Sequence, residues 1–422
     1  MTAVNQLLKM IEEKEKTNLQ HLLSIPVIVA ALGYFVDIYD LLLFGIVRIP
    51  SLTEMGLNEE QRSAVGASIL NWQMIGLLLG GILWGVVGDK KGRLSVLFGS
   101  IITYSIANIA CGFVQDAEIY KILRFIAGIG LAGELGAGIT LVSEILPKRL
   151  RAIGTSLVAG VGLCGAVVAY FTVALFDSWR TAYFIGGGLG ISLLLLRVGV
   201  VESGMFDSIK HESKVAKGNF LAFFTNRRRF LLYIKCIAIG LPTWFVIGIL
   251  STFSNEFGVA LGIAEPIIPG LAIMWCYIGL ASGDLMSGFF SHALHSRKKA
   301  VALMMAFTLI GAVVYLSGII TTAFWLYAFC LWMGIGIGYW AMFVTISAEQ
   351  FGTNLRATAA TTVPNMVRGA VVLMTSLFGF AKPSVGVLLA GGIVGICAFI
   401  LGFYAVWSIP ETHDRDLDFL EH

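Results

Sequence analysis

Apolar runs of about twenty residues recur from one end of the chain to the other, each long enough as a helix to cross roughly 30 Å of hydrocarbon. They fall at residues 24–47, 64–88, 94–115, 119–146, 152–176, 182–201, 230–256, 268–292, 300–320, 323–348, 358–381 and 385–408. None shows the alternating pattern of a strand, and within lipid only a helix or a closed barrel satisfies its own backbone. The pattern predicts an all-α membrane protein of twelve transmembrane helices. The longest polar stretch, 202–229, falls after the sixth run and divides the chain nearly in half. The expected organisation is an amphipathic cytoplasmic segment (1–23), a six-helix bundle (24–201), a cytoplasmic linker (202–229), a second six-helix bundle (230–408) and a cytoplasmic tail (409–422). Residues 1–23 carry mixed charge and no apolar core, so they do not read as a signal peptide.

Composition agrees. Of 422 residues, 57% are hydrophobic and 13% charged, where a soluble domain carries about 25% charged. Lysine and arginine fix the expected orientation, because cytoplasmic loops are enriched in both. With the N-terminus inside, the inner segments hold twenty of the 29, among them Lys90, Lys148, Arg227 and Lys298, while the outer loops hold Arg48, Arg62, Arg180 and Lys382. Both termini are then cytoplasmic, in what is expected to be a bacterial inner membrane. The six cysteines sit singly in apolar runs and read as small core residues. No cofactor, metal site or nucleic-acid surface is expected; the partners are the bilayer, a small-molecule substrate and protons, with a monomer as the working unit.

The two halves echo each other. Glu144-x5-Leu150-Arg151-Ala152 after the fourth run is matched by Glu349-x5-Leu355-Arg356-Ala357 after the tenth, and Gly128-Ile129-Gly130 by Gly334-Ile335-Gly336. Two bundles of like design, related by pseudo-symmetry, follow from that repeat. Between the second and third runs stands Gly85-x-x-Gly88-Asp89-Lys90-Lys91-Gly92-Arg93. Its glycines let two helices approach and turn tightly.

This loop resembles the signature loop of the major facilitator superfamily, and the resemblance extends over nearly the whole chain. It implies the superfamily's twelve-helix fold, a substrate site near the bilayer midplane and transport by alternating access. It also implies that Asp89 is a conformational latch on the positive end of the eleventh helix, with Glu144, Arg151, Glu349 and Arg356 completing an inner-face charge network. The matching loop of the second half ends in Gly288-Phe289-Phe290-Ser291-His292, with histidine where aspartate would be. Gly33–Asp40 resembles the first helix of phosphate–proton and organic-acid–proton symporters, and Gly128–Glu134 their acidic fourth helix. Arg124 is similar in place to an arginine that sugar–proton symporters pair with a first-helix carboxylate.

An ionisable group within hydrocarbon costs several kcal/mol unless paired or hydrated, so each one is a functional candidate. Asp37 and Asp40 share a face of the first helix, Arg124 lies within reach of Asp40, and Glu134 sits mid-way along the fourth. Crowded carboxyls of low dielectric bind a proton more readily than free ones, which makes this group the expected proton-coupling set, with Asp40 first in order. In the second half Trp244, Tyr339 and Trp340 read as substrate-facing aromatics, joined by Tyr34, Gln73 and Asn365. Asp284 and Arg368 are the remaining deep charges. They read either as a mutual pair or, if Arg368 faces the cavity, as a cationic anchor for an anion. Arg197 is expected to snorkel to the interface.

The function expected is secondary active transport of a small polar metabolite, an organic acid or similar anion, by proton symport. An exporter or uniporter is the alternative. Neither a nucleophile–base set nor HExxH nor a phosphate-binding loop is present to suggest an enzyme.

Overall fold

The computed structural model describes residues 20–91, 93–134, 142, 146, 150–202 and 220–412. Among these residues there are helices and no strands. We number them α1 (Ile25–Glu54), α2 (Glu59–Lys91), α3 (Arg93–Gly112), α4 (Ala117–Leu131), α5 (Arg151–Phe176), α6 (Trp179–Glu202), α7 (Arg227–Phe245), α8 (Pro269–Ala293), α9 (Arg297–Leu316), α10 (Ala323–Ile337, resuming as Trp340–Glu349) and α11 (Thr353–Gly369, resuming at 371). The long helix that starts at Val371 is broken at Gly386, whose φ of 81° no side chain adopts easily, so residues 387–408 form α12. Ten helical stretches are apolar and long enough to cross a membrane, and the last of them, 51 residues, is long enough to cross twice. The described part of α4 stops soon after Leu131, which accounts for the twelfth crossing.

Polar caps set several helix starts. Asp116 accepts from the amides of Glu118 and Ile119 (2.9 and 3.0 Å) ahead of α4, Asn226 from Arg228 ahead of α7 (2.9 Å), and Ser296 from Lys299 ahead of α9 (3.2 Å); each satisfies an amide that the helix itself leaves free. α1 does not end at residue 47 as the apolar run suggested. It continues through Arg48 and Pro50 to Glu54, which carries Arg48 into the interior.

Small residues hold the helices together in both halves, as lipid offers no hydrophobic drive for association. Gly128 of α4 lies against the α2 backbone at Gln73, and Gly334 of α10 against the α8 backbone at Cys276. Gly130 meets Tyr104 of α3 as Gly336 meets Thr308 of α9. In the other direction, Gly76 and Gly80 of α2 approach Phe125 and Ile129, while Gly279 and Gly283 of α8 approach Leu331 and Ile335. The glycine repeat seen in the sequence is therefore one structural contact made twice. The helix breaks repeat as well: α4 unwinds at Ala132–Gly133, and α10 at Gly338–Tyr339. The halves meet chiefly where α2 packs on α11 and α5 on α8.

A side chain at these close approaches has nowhere to go: a Cβ on Gly334 would stand 2.9 Å from the Cys276 carbonyl carbon. Gly334→Leu is expected to destabilise the folded protein by roughly 1–3 kcal/mol or more, and Gly128→Leu likewise. Gly160→Leu, which faces open space, leaves stability unchanged. Thermal unfolding of the purified variants checks the contrast.

Candidate functional site

A narrow cavity lies where the two halves face each other. Tyr34 and Ile38 of α1 and Leu163 of α5 line one side; Thr243, Trp244 and Ile247 of α7, Tyr277 and Leu280 of α8, Trp340 of α10 and Arg368 of α11 line the other. Irregular backbone places several of these. Pro242 lies within α7, and the helix then widens into a π-turn at Val246–Ser251, a distortion common at functional sites. Trp340 is the first residue after the break in α10. The indoles of Trp244 and Trp340 stand edge to face at 6.5 Å, and the Arg368 guanidinium lies 5.9 Å from the Trp244 ring centre.

Arg368 is 1% exposed. It sits in the last turn of its helix segment, where the helix dipole favours a cation. Its partners reach into the opposite half. One guanidinium nitrogen lies 4.0 Å from the carboxylate of Asp37 on α1. Another donates to Asn365 Oδ1 at 3.3 Å, and Asn365 Nδ2 donates in turn to the Ala132 carbonyl at 3.0 Å. α4 unwinds at this carbonyl. The neighbouring Ile129 carbonyl is taken by Trp84 Nε1 at 2.6 Å. A polar chain thus runs from α1 through α11 to the break in α4. Asp37 is fully buried and neither carboxylate oxygen accepts a hydrogen bond, so its charge rests on Arg368 alone among the described residues.

Of the two readings of Asp284 and Arg368, the mutual pair does not form and Arg368 faces the cavity. Asp284 Oδ1 accepts from the Ala341 amide at 3.1 Å, capping the second segment of α10, whose first amides the break leaves without partners. Arg124 and Asp40 are neighbours, but the arginine binds Asp40 through its backbone carbonyl (3.0 Å), together with Asn108 Oδ1 (2.7 Å) and Gln73 Oε1 (3.3 Å). Gln73 also donates to the Leu41 carbonyl at 2.9 Å. Arg124 therefore clasps α1, α2 and α3, and the Asp40 carboxylate points to α6 at Gly186 rather than into the cavity. Glu134 is held by both guanidinium nitrogens of Arg197. Arg197 does not snorkel: it is buried, because Glu134 and the α1 backbone at Gly33 close over it.

Of the expected substrate contacts, Tyr34, Trp244, Trp340 and Arg368 come together in the cavity. Gln73 and Asn365 join helices instead, and Tyr339 donates to the Ile239 carbonyl at 3.0 Å. Tyr277 and Thr243 were not anticipated. Tyr277 lies two turns before Asp284, on the same face of α8, and that spacing is the signal that could have found it. On the inner charge network, Glu349 pairs with Arg297 of α9. Gly85 faces open space, and Arg356 is half-buried. Glu144 and Gly92 lie outside the described residues, as do the side chains of Asp89, Arg93 and Arg151 and the surroundings of Gly88.

The description "Major Facilitator Superfamily" belongs to the family model that matches residues 25–375. The chain is similar to a Haemophilus influenzae protein named for metabolite transport, 27% identical over 409 residues that cover 92% of this chain and 96% of the relative. It is 25% identical over 391 residues to a Bacillus subtilis protein named for niacin and nicotinamide transport, covering 90% of each. Among solved structures it resembles a D-xylose–proton symporter, with a TM-score of 0.66 and 16% identity over 93% of this chain and 99% of that one; this likeness concerns the fold.

Because Glu134 and Arg197 are sealed within the first six helices, Glu134→Gln is expected to act on stability. It strands a buried guanidinium, a loss of about 3–5 kcal/mol in comparable pairs. Thermal unfolding should fall clearly while ligand affinity in the folded fraction stays within a few fold. Equal unfolding with lost affinity would return Glu134 to the coupling set.

Proposed function

The chain belongs to the Major Facilitator Superfamily, and on that premise we propose that it imports a small planar organic acid with a proton, Arg368 holding the acid and Asp37 carrying the proton. It is a multi-pass membrane protein that transports small molecules and is not an enzyme. Three features support the finer reading. The cavity offers one cation and four aromatic rings, from Tyr34, Trp244, Tyr277 and Trp340. A flat apolar body suits stacking and edge contacts with such rings, and a carboxylate suits the planar guanidinium. The Bacillus subtilis relative is named for niacin, an aromatic acid of this kind.

The observation that carries the proposal is the 4.0 Å approach of Arg368 to an Asp37 that accepts no hydrogen bond among the described residues. The substrate's carboxylate and the Asp37 carboxylate compete for one cation. When the substrate takes Arg368, Asp37 is left as a bare charge in a buried site, a state costing several kcal/mol. Taking up a proton removes that cost. On release of the substrate, Arg368 returns to Asp37 and the proton leaves. Two anions and one cation thus tie acid and proton movement together, and because Asp37 and Arg368 belong to opposite halves the exchange is felt by the contact between them. Asp40, buried one turn further along α1, is a second proton site behind the first. The asymmetry of lysine and arginine supports cytoplasmic termini, and Asp89, Arg93, Gly85, Gly88 and Gly92 keep the latch role that the family resemblance implies, beside Glu144, Arg151, Glu349 and Arg356.

Reconstituted in liposomes, the protein should accumulate a planar monocarboxylate such as nicotinate or benzoate when a pH gradient, acid outside, is the only driving force. Asp37→Asn should abolish accumulation and keep counterflow exchange, as exchange does not need the proton to leave. Arg368→Ala should weaken binding roughly 100-fold. Combining it with Asp37→Asn removes both buried charges and keeps the protein folded for the measurement. Uptake indifferent to the gradient would make the protein a uniporter; undiminished binding without Arg368 would overturn the anchor.

A further inference from the structure

A second ionic cluster joins the halves at the mouth of the bundle away from the chain termini, beyond the substrate cavity. Arg48, near the end of α1, is fully buried. One of its guanidinium nitrogens donates to the Thr252 carbonyl at 3.0 Å and to Asn255 Oδ1 at 2.9 Å, and the other lies 3.7 Å from Glu256. All three acceptors follow α7, in the opposite half. The guanidinium also sits 4.4 Å over the Phe253 ring. From the far side Lys382, at the end of α11, donates to Glu256 at 2.8 Å and to Ser63 Oγ of α2 at 2.7 Å. Gly66 of α2 makes room for the arginine stem; a Cβ there would stand 2.8 Å from Arg48 Cδ.

We propose that Arg48, Glu256 and Lys382 form a latch that holds this mouth closed, and that breaking it is the step that admits substrate from that side. The geometry distinguishes this cluster from a passive brace. One carboxylate serves two cations, and Arg48–Glu256 and Lys382–Ser63 both cross between the halves. Separating the halves here removes Arg48 from Glu256, Asn255 and the Thr252 carbonyl at once, leaving a guanidinium that must be hydrated through the opening mouth. The two arrangements, dry and fully bonded or open and hydrated, are discrete, which is what a two-state switch requires. The neighbouring pair Arg180–Glu54, at 3.0 Å and partly exposed, joins residues of the first six helices to each other and so provides a control. The cluster shares no residue with the substrate site, and its behaviour can be read with no substrate present.

The test is a distance distribution between spin labels at Glu60 and Ala264, exposed positions on either side of this mouth, in a background whose exposed Cys164 and Cys397 are replaced by serine. The closed distance should dominate in the otherwise unaltered protein. Glu256→Gln should raise the open population about tenfold, Arg48→Gln should do the same, and the double variant should add little beyond either, as both remove one contact. Glu54→Gln should leave the distribution unchanged. If Glu256→Gln and Arg48→Gln both keep the closed distribution, or if Glu54→Gln opens the mouth as far as they do, the latch is refuted. Should Arg48→Gln fail to fold, the near-isosteric Glu256→Gln decides alone.

Discussion

A buried guanidinium must be matched, and Arg368 is matched from two directions. Its charge meets Asp37 on α1, its second nitrogen reaches Asn365 one turn back along α11, and Asn365 passes the contact to the carbonyl of Ala132 on α4. Each partner exists because of a local irregularity. α11 stops just after Arg368, so the cation lies at a negative helix end. α4 unwinds at Ala132, whose carbonyl accepts from Asn365. Asp37 accepts no hydrogen bond among the described residues. The cavity wall and the proposed proton site both lie where this one charge is satisfied.

The glycine contacts allow the same framework to be built twice, and the two copies are then used differently. α4 and α10 break at corresponding points, next to the residues that each half needs. After the break in α4 comes Glu134, locked to Arg197; after the break in α10 comes Trp340, on the cavity, with Asp284 capping the restarted helix. The first half pairs Glu134 with Arg197 inside itself, while Asp37 and Arg48 reach partners in the second. The second supplies the aromatic wall and the cation. Asp37 of the first half faces Arg368 of the second, so the two charges meet only when the halves are together.

The fold was legible in the sequence because lipid makes the rule simple: length and apolarity define a span, and the glycine repeat marks contacts that both halves share. The identity of the deep charges was legible for the same reason, as Asp37, Asp40, Arg124, Glu134, Asp284 and Arg368 stand out in apolar runs. Their pairing was not. Which carboxylate meets which arginine depends on the rotation of each helix and on where it breaks, and neither is written in spacing along one helix. Asp284 faces a broken helix start rather than Arg368 because α10 unwinds at Gly338. Arg197 stays inside because α1 presents glycine at position 33. Arg48 seemed a loop residue because an apolar run ended near it, yet α1 passes through Pro50 and takes it inward. Tertiary contact decided each case.

The central claim is that an acid and Asp37 exchange places on Arg368, so that binding the acid draws in a proton. Calorimetric titration with a planar monocarboxylate near neutral pH, repeated in buffers of different ionisation enthalpy, measures that proton directly. The account predicts uptake of about one proton per acid bound, reduced to none in Asp37→Asn, with binding retained. Binding without proton uptake, or the same uptake in Asp37→Asn, would contradict it.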